Sequence, residues 1–338
     1  MKIVVAPDSF KECLPARRVA AVMAAAVREA SPEAVVMELP LADGGEGTLD
    51  VLAAALGAQV HSETVSDPLG RPVEARFGVW GETAIIEVAQ ACGLSLLEPA
   101  ERNPLNTSSQ GVGELLLAAH GLGCRHFLVG LGGSATCDGG TGMLAALGIN
   151  NLKDSSFELL CDVDAPFVGP RGAARVFAPQ KGASPADVEV LEERMRSLAA
   201  EWFRSTGIQV ADTPGAGAAG GLAGAFMAHL DATVVSGIRR VLDLVRFREA
   251  SAGAHLIITG EGRSDAQTLQ GKVPYGVLQI ADSIPVALVS GRIEDREALS
   301  RAGFSYLVEA TPRDLPLAQA LDPQIAESLL YQAVQRLL

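Results

Sequence analysis

No stretch of this chain runs about 18 apolar residues without a charge, so the sequence offers no membrane span. Its first apolar run, Ile3-Val4-Val5-Ala6, is too short for the core of a signal peptide. Aromatic residues make up only 4% of 338, although 48% are hydrophobic. The apolar mass is therefore Ala, Val and Leu, which suits closely spaced layers of helix on sheet. The five cysteines (Cys13, Cys92, Cys124, Cys137, Cys161) are odd in number, scattered, and form no Cys-x-x-Cys pair. That favours reduced thiols in a cytoplasmic protein over a disulfide frame. The five histidines show no metal-ligand spacing. Basic residues are few: 27 Lys and Arg against 40 Asp and Glu give a net charge of −13. A phosphate-backbone binder needs a basic face, so the balance argues against nucleic acid. A local basic pocket for a small anion stays open.

What is abundant is glycine, 36 residues, much of it in loops beside acids and hydroxyls. At about 150 residues per domain the length suggests two domains. The first 65 residues read as β-α-β-α-β: strands at Ile3–Ala6, Val35–Leu39 and Gln59–Val65, with helices at 15–30 and up to Leu56. At Ser66-Asp67-Pro68-Leu69-Gly70 the rhythm changes to a hairpin over 73–89. The middle reads as helix 111–120, strand 126–131, a glycine loop, a short helix to 147, a turn-rich connection at 149–156, strand 157–163 and helix 185–204. From about 254 the βα alternation returns. Three early and three late strands predict one six-stranded, mostly parallel sheet, built from 1–65 plus 252–338, with 66–251 inserted.

Five loops at strand ends could carry chemistry, since ligands of open α/β sheets bind beyond the carboxyl ends of strands. Asp8-Ser9-Phe10-Lys11 pairs a carboxylate with an ammonium. Asp43-Gly44-Gly45-Glu46-Gly47-Thr48 joins exposed amides to two acids ahead of a helix. Gly132-Gly133-Ser134-Ala135-Thr136, running on to Asp138, follows an apolar strand and opens a helix, the architecture of a phosphate cradle. It is neither a Walker A loop nor a dinucleotide fingerprint. Asp162-Val163-Asp164 and then Lys181 form the fourth, with the two aspartates on one face if the strand continues. Glu261, Arg263, Asp265 and Lys272 form the fifth. The loops supply no Ser–His pair. Asp, Glu, Lys, Gly and hydroxyls suit phosphoryl transfer, where positioning and charge neutralisation carry the reaction.

At these residues the chain resembles the type I glycerate kinases of bacteria. The matching segments are APDSFKE (6–12), ADGGEGT (42–48), TSSQGVGEL (107–115), LGGSATCDGGTGML (131–144), CDVDAPFVGPRGAARVFAPQKGA (161–183), PGAGAAGGL (214–222) and ITGEGRSDAQTLQGKVPYGV (258–277). They span nearly the whole chain, in family order. The chain departs from the family at Cys137, where Asn is usual, at Ala165-Pro166-Phe167, where Asn-Pro-Leu is usual, and in a shortened stretch between Gly148 and Leu160.

The resemblance implies a Rossmann-like domain with a second α/β domain inserted, and phosphorylation of D-glycerate by ATP with Mg²⁺ in the cleft between domains. It favours the 2-hydroxyl. On that expectation Gly132, Gly133, Ser134, Ala135, Thr136 and Lys181 hold ATP phosphates, and Asp138 and Asp164 are candidates for Mg²⁺. Asp8 or Asp43 accepts the hydroxyl proton, and Lys11 or Lys272 neutralises the moving phosphoryl group. Arg263 and the Gly44–Gly45 amides meet the glycerate carboxylate, with Ser9, Glu46, Glu261 and Asp265 beside the substrate. The expected partners are small molecules, with neither nucleic acid nor membrane, and with room for a homodimer. A kinase for another small hydroxy acid and a non-catalytic hydroxy-acid or nucleotide sensor are the alternative readings.

Overall fold

A computed structural model describes residues 1–148 and 152–338. Of the turn-rich connection expected at 149–156, residues 149–151 lie outside the described ones. The strands, in chain order, are β1 (Lys2–Val5), β2 (Val35–Glu38), β3 (Gln59–Ser66), β4 (Pro72–Trp80), β5 (Thr83–Glu87), β6 (His126–Gly130), β7 (Ser156–Leu160), β8 (Thr233–Val235), β9 (Leu256–Thr259), β10 (Arg263–Ser264), β11 (Val286–Ser290), β12 (Arg292–Ile293) and β13 (Tyr306–Glu309). The chain packs into two compact units, Met1–Asp43 with Ile238–Leu338, and Gly44–Gly237.

The first unit is an all-parallel sheet in the order β13-β11-β9-β1-β2. Counted along the chain within this unit, that is the doubly wound order 2-1-3-4-5. Helix Ala16–Ala30 starts behind Pro15 and ends at Ser31. It buries Val19, Val22, Met23, Ala26 and Val27, the stripe read from the sequence. That stripe joins Ile3, Val5, Ala287, Leu330 and Val334 in one core, the last two from helix Pro323–Leu337.

The sheet has five strands rather than the expected six. β3 pairs antiparallel with β4, from Gln59↔Val79 to Ser66↔Pro72, and belongs to the second unit. The turn explains why. Asp67 N–H donates to Arg71 O, while the Asp67 carboxylate accepts from the amides of Leu69 and Arg71. Closing so short a loop costs little entropy, which favours β4 as the neighbour of β3. The unit boundaries accordingly fall at 43/44 and 237/238 instead of near 65 and 252.

The second unit holds the sheet β3-β4-β5-β6-β7-β8, antiparallel up to β5 and parallel beyond it. Phe127 stacks on Phe157 with ring centres 4.9 Å apart, and Phe226 packs on Phe157 at 5.6 Å. Helix Pro185–Thr206 carries a reciprocal cap between Ser184 and Asp187 at its start and Gly207 at its end. β7 stops at Leu160, and Cys161 N–H crosses to Val235 O. Asp162 and Asp164 therefore follow the strand rather than sharing a face of it.

Candidate active site

In the first unit all five strands end on the same edge. The chain leaves β1 for β2 on one side and builds β9, β11 and β13 on the other. The switch point, where such sheets bind ligands, lies between β1 and β9. The two loops that leave it are latched together. Asp8 N–H donates to Gly260 O at 2.9 Å, and Thr259 Oγ1 to Ala6 O at 2.8 Å.

Asp8 is 6% exposed there, and its Oδ1 accepts Ser9 N–H at 2.7 Å. Burial, and then the neighbouring carboxylates of Asp43 and Glu261, push the Asp8 carboxyl well above the usual range; the Ser9 amide and the Lys11 ammonium pull only partly back. Glu261 is also buried but is fully engaged. Its Oε1 accepts from Ser264 Oγ (3.0 Å) and Thr268 Oγ1 (2.6 Å), and its Oε2 meets Lys272 Nζ at 3.0 Å. Arg263 has a side chain 65% exposed and reaches Asp265 and Glu294 only loosely, each at 3.7 Å. Asp265 caps helical turn 266–270 by accepting Gln267 N–H. Asp8, Ser9, Lys11, Asp43, Glu261, Arg263, Asp265 and Lys272 thus all belong to one unit. The acids are placed to accept a proton or a cation; Lys11, Lys272 and Arg263 are the cations that can meet an anion.

The second unit carries the glycine loops. The loop that begins at Gly44 lies across the carboxyl ends of β6 and β7. Gly44 O accepts Gly132 N–H at 3.3 Å. A Cβ on Gly44, whose φ is +92°, would come within 2.7 Å of Leu160 O, and one on Gly132 within 2.5 Å of Gly45 Cα. The two loops touch backbone to backbone, and only glycine fits. Helix Thr48–Leu56 opens behind them, and its Leu49 N–H donates to Glu87 Oε1 at 2.6 Å. Glu87 is 3% exposed, and burial raises its carboxyl above the usual range. Sequence reasoning missed this residue. The available signal was an acid closing the apolar strand Thr83-Ala84-Ile85-Ile86. Since Glu87 already supplies a carboxylate at the amino end of that helix, a substrate carboxylate at Gly44–Gly45 has a built-in competitor.

Lys181 lies beneath the 132–136 loop, 3% exposed. Its Nζ donates to Ser134 Oγ at 2.9 Å and Thr136 O at 2.7 Å. Burial lowers its ammonium pKa, against the opposing pull of Cys137, Cys92 and Asp138. The loop is pinned from its other side by Ala135 N–H on Cys92 O and Leu94 N–H on Gly133 O. Asp138 is committed inward. It accepts from Ser109 N–H, Ser109 Oγ, Gly140 N–H and Gly142 N–H, tying helices Gln110–Gly121 and Thr141–Leu147 together. Asp164, by contrast, is exposed, with Arg171 only at 3.9 Å. Cys137, where the resemblance has Asn, is buried, and its thiol is pushed up by that burial. Among the described residues no group of three or more His, Cys, Asp or Glu could hold a metal by itself.

The sequence model of the glycerate kinase family matches residues 3–159 and 149–338. The two segments overlap inside the stretch where the sequence is shortened. A glycerate kinase of Bacillus subtilis (strain 168) is 40% identical, over 95% of this chain and 93% of its own. A glycerate 2-kinase of Escherichia coli (strain K12) is 41% identical, over 87% of this chain and 86% of its own. A crystal structure of a protein assigned as glycerate kinase 2 from Salmonella typhimurium LT2 matches with a TM-score of 0.84 and 37% identity, over 100% of this chain and 97% of that one.

Proposed function

Because the chain belongs to the glycerate kinase family and is therefore a kinase, we propose that it transfers the terminal phosphoryl group of ATP to the 2-hydroxyl of D-glycerate, giving 2-phosphoglycerate and ADP. The observation that carries this reading is Asp8: a carboxyl buried at the switch point of the sheet, made more basic by burial and by Asp43. A raised carboxylate is a better proton acceptor for an alcohol, the work an aspartate does in kinase sites. The choice of the 2-hydroxyl draws on the 2-kinase relative.

In this reading Asp8 orients the hydroxyl and takes its proton, while Glu261 keeps Lys272 in place. Lys11 supplies positive charge to the transferred group. Arg263, bound only loosely to its acids, grips the glycerate carboxylate with two parallel N–H donors. The phosphates of ATP lie on the 132–136 loop, with Lys181 holding that loop from behind rather than reaching out of it. Mg²⁺ needs only one or two protein carboxylates when phosphates supply the rest. Asp164, exposed and weakly paired, fits that need; Asp138, already accepting four donors, does not. When bound, the ion neutralises phosphate charge.

Phosphorus NMR of the protein with D-glycerate, ATP and Mg²⁺ tests the reading. A 2-phosphoglycerate signal is expected. A 3-phosphoglycerate signal overturns the position, and no phosphoglycerate overturns the reaction.

A further inference from the structure

A cavity of about 760 Å³ lies in the second unit against helix Pro185–Thr206. We propose, resting on the reading that ATP is the donor, that this cavity takes the adenine ring of the nucleotide. Its floor is apolar: Leu105, Leu191, Met195 and Leu198. One wall is made by Cys137, Asp138 and Thr141, the continuation of the loop that carries the phosphates. A ligand whose phosphates lie on 132–136 therefore has an apolar chamber within the same unit, beginning at the next residue of the same loop.

The chemistry of the rim selects what enters. Glu189, Glu193 and Glu201 line the cavity and are exposed. Among the described residues the lining has one cation, Arg194, and its guanidinium donates to Leu105 O at 3.3 Å. Glu189 is balanced by Arg175 through two bonds of 2.7 and 2.8 Å; Glu193 and Glu201 are further carboxylates on the same helix. Such a rim repels phosphate and carboxylate groups. Ionised carboxylates are acceptors only, so the rim favours a neutral ring that carries N–H donors. An apolar floor with a few polar groups at its edge is the usual composition of a small-molecule site. An aminopurine meets both conditions: its faces suit Leu and Met, and its exocyclic amine suits Glu. The same charges keep the triphosphate out and so fix which end of the nucleotide enters.

The test compares ATP with inorganic tripolyphosphate, which has the phosphates but no base, on the intact protein and on Val190→Trp and Ser197→Phe. Both substitutions sit on exposed lining positions, Val190 being 44% exposed, so they narrow the cavity without opening the core. The wild type is expected to bind ATP about tenfold or more tighter than tripolyphosphate, which is the scale of one modest apolar contact. Each variant is expected to lose most of that advantage while tripolyphosphate affinity and the KM for D-glycerate stay unchanged. Photolabelling with 8-azido-ATP is expected to mark the peptide containing residues 189–201. Equal affinity for the two ligands, an unchanged preference in both variants, or a label elsewhere overturns the cavity assignment while leaving ATP-dependent turnover standing. Absence of ATP binding and turnover in the wild type overturns the donor reading, and the cavity assignment with it.

Discussion

Asp8 can be tested in two directions at once. As the proposed proton acceptor it must be ionised, so kcat/KM is expected to fall as pH drops through its raised value, with the acid limb of the profile above the ordinary carboxylate range. Asp8→Asn is expected to lower kcat about 10²–10⁴-fold with ATP affinity kept; a pH–rate profile and nucleotide titration check this. Stability goes the other way. Between its unfolded and raised folded pKa the native protein binds more protons than the unfolded chain, so ionising Asp8 costs stability as pH rises. Asn keeps an oxygen for Ser9 N–H but removes that cost. Asp8→Asn is therefore expected to raise the melting temperature in mildly alkaline buffer, and to lose the advantage in acid, below the ordinary carboxylate range. An equal melting temperature at both pH values would contradict the assignment. Lys181→Met makes a second test. The substitution removes the cost of keeping an ammonium out of water. It leaves the Ser134 and Thr136 oxygens without that donor, at about 1–3 kcal/mol. ATP affinity is expected to fall about tenfold with the fold retained; an unchanged dissociation constant would mean that the loop Lys181 holds does not bind the phosphates. The acids, lysines and glycines of the motifs were legible because each loop combines them within a few residues. What each acid is bonded to was not, because Asp138 finds Ser109 from another segment and Glu261 finds Lys272 across a helical turn.

At the scale of elements, many helix and strand positions followed from periodicity and punctuation, whereas helix Leu222–Leu230 and β8, behind the second glycine-rich run, were not read. Helix Pro185–Thr206 announces itself by Ser-Pro at one end and Gly at the other. Sheet membership did not follow. A polar strand such as β3 reads the same whichever neighbour it has, and only the hairpin closed by Asp67 and Arg71 decides for β4. Strand 157–163 was overextended because Asp162-Val163-Asp164 mimics alternation past the point where β7 ends. Glu87 supplies the prediction at this scale. It holds the first turn of helix Thr48–Leu56 by Leu49 N–H, just behind the loop that touches Gly132. Glu87→Gln keeps an acceptor and is expected to stay near wild-type stability. Glu87→Ala leaves a buried amide unpaired and is expected to cost about 1–3 kcal/mol, read by chemical denaturation. If Ala and Gln behave alike, the hydrogen bond is not what fixes the loop.

At the scale of the whole molecule, the sequence showed an interrupted βα domain with an insertion, because the βα rhythm stops and later resumes. It placed the seams about twenty residues late on one side and about fifteen late on the other, since polar strand β3 and helix Gly237–Leu244 carry no mark of which unit they join. Two compact units predict two regions of hydrogen-exchange behaviour. Leu330→Ala, at a side chain with no exposure in the first core, is expected to cost about 2–5 kcal/mol. Exchange should quicken in β1, β9, β11 and helix Ala16–Ala30 and stay slow in β5 to β7. A uniform rise across the chain would mean that the two units open as one.

The interruption also sets an order of events at the ribosome. β1 is made some 250 residues before its partner β9, with Ile3 opposite Leu256. The segment 44–237 is contiguous and complete in its own sheet before β9 is synthesised. Domains generally fold as units during synthesis. The inserted unit can therefore fold while β1 and β2 wait. Its ends lie near one another, with Gly44 against Leu160 and Leu160 opposite Val235, so once folded it replaces a long flexible loop and lowers the entropic cost of bringing the first strand to its late partner.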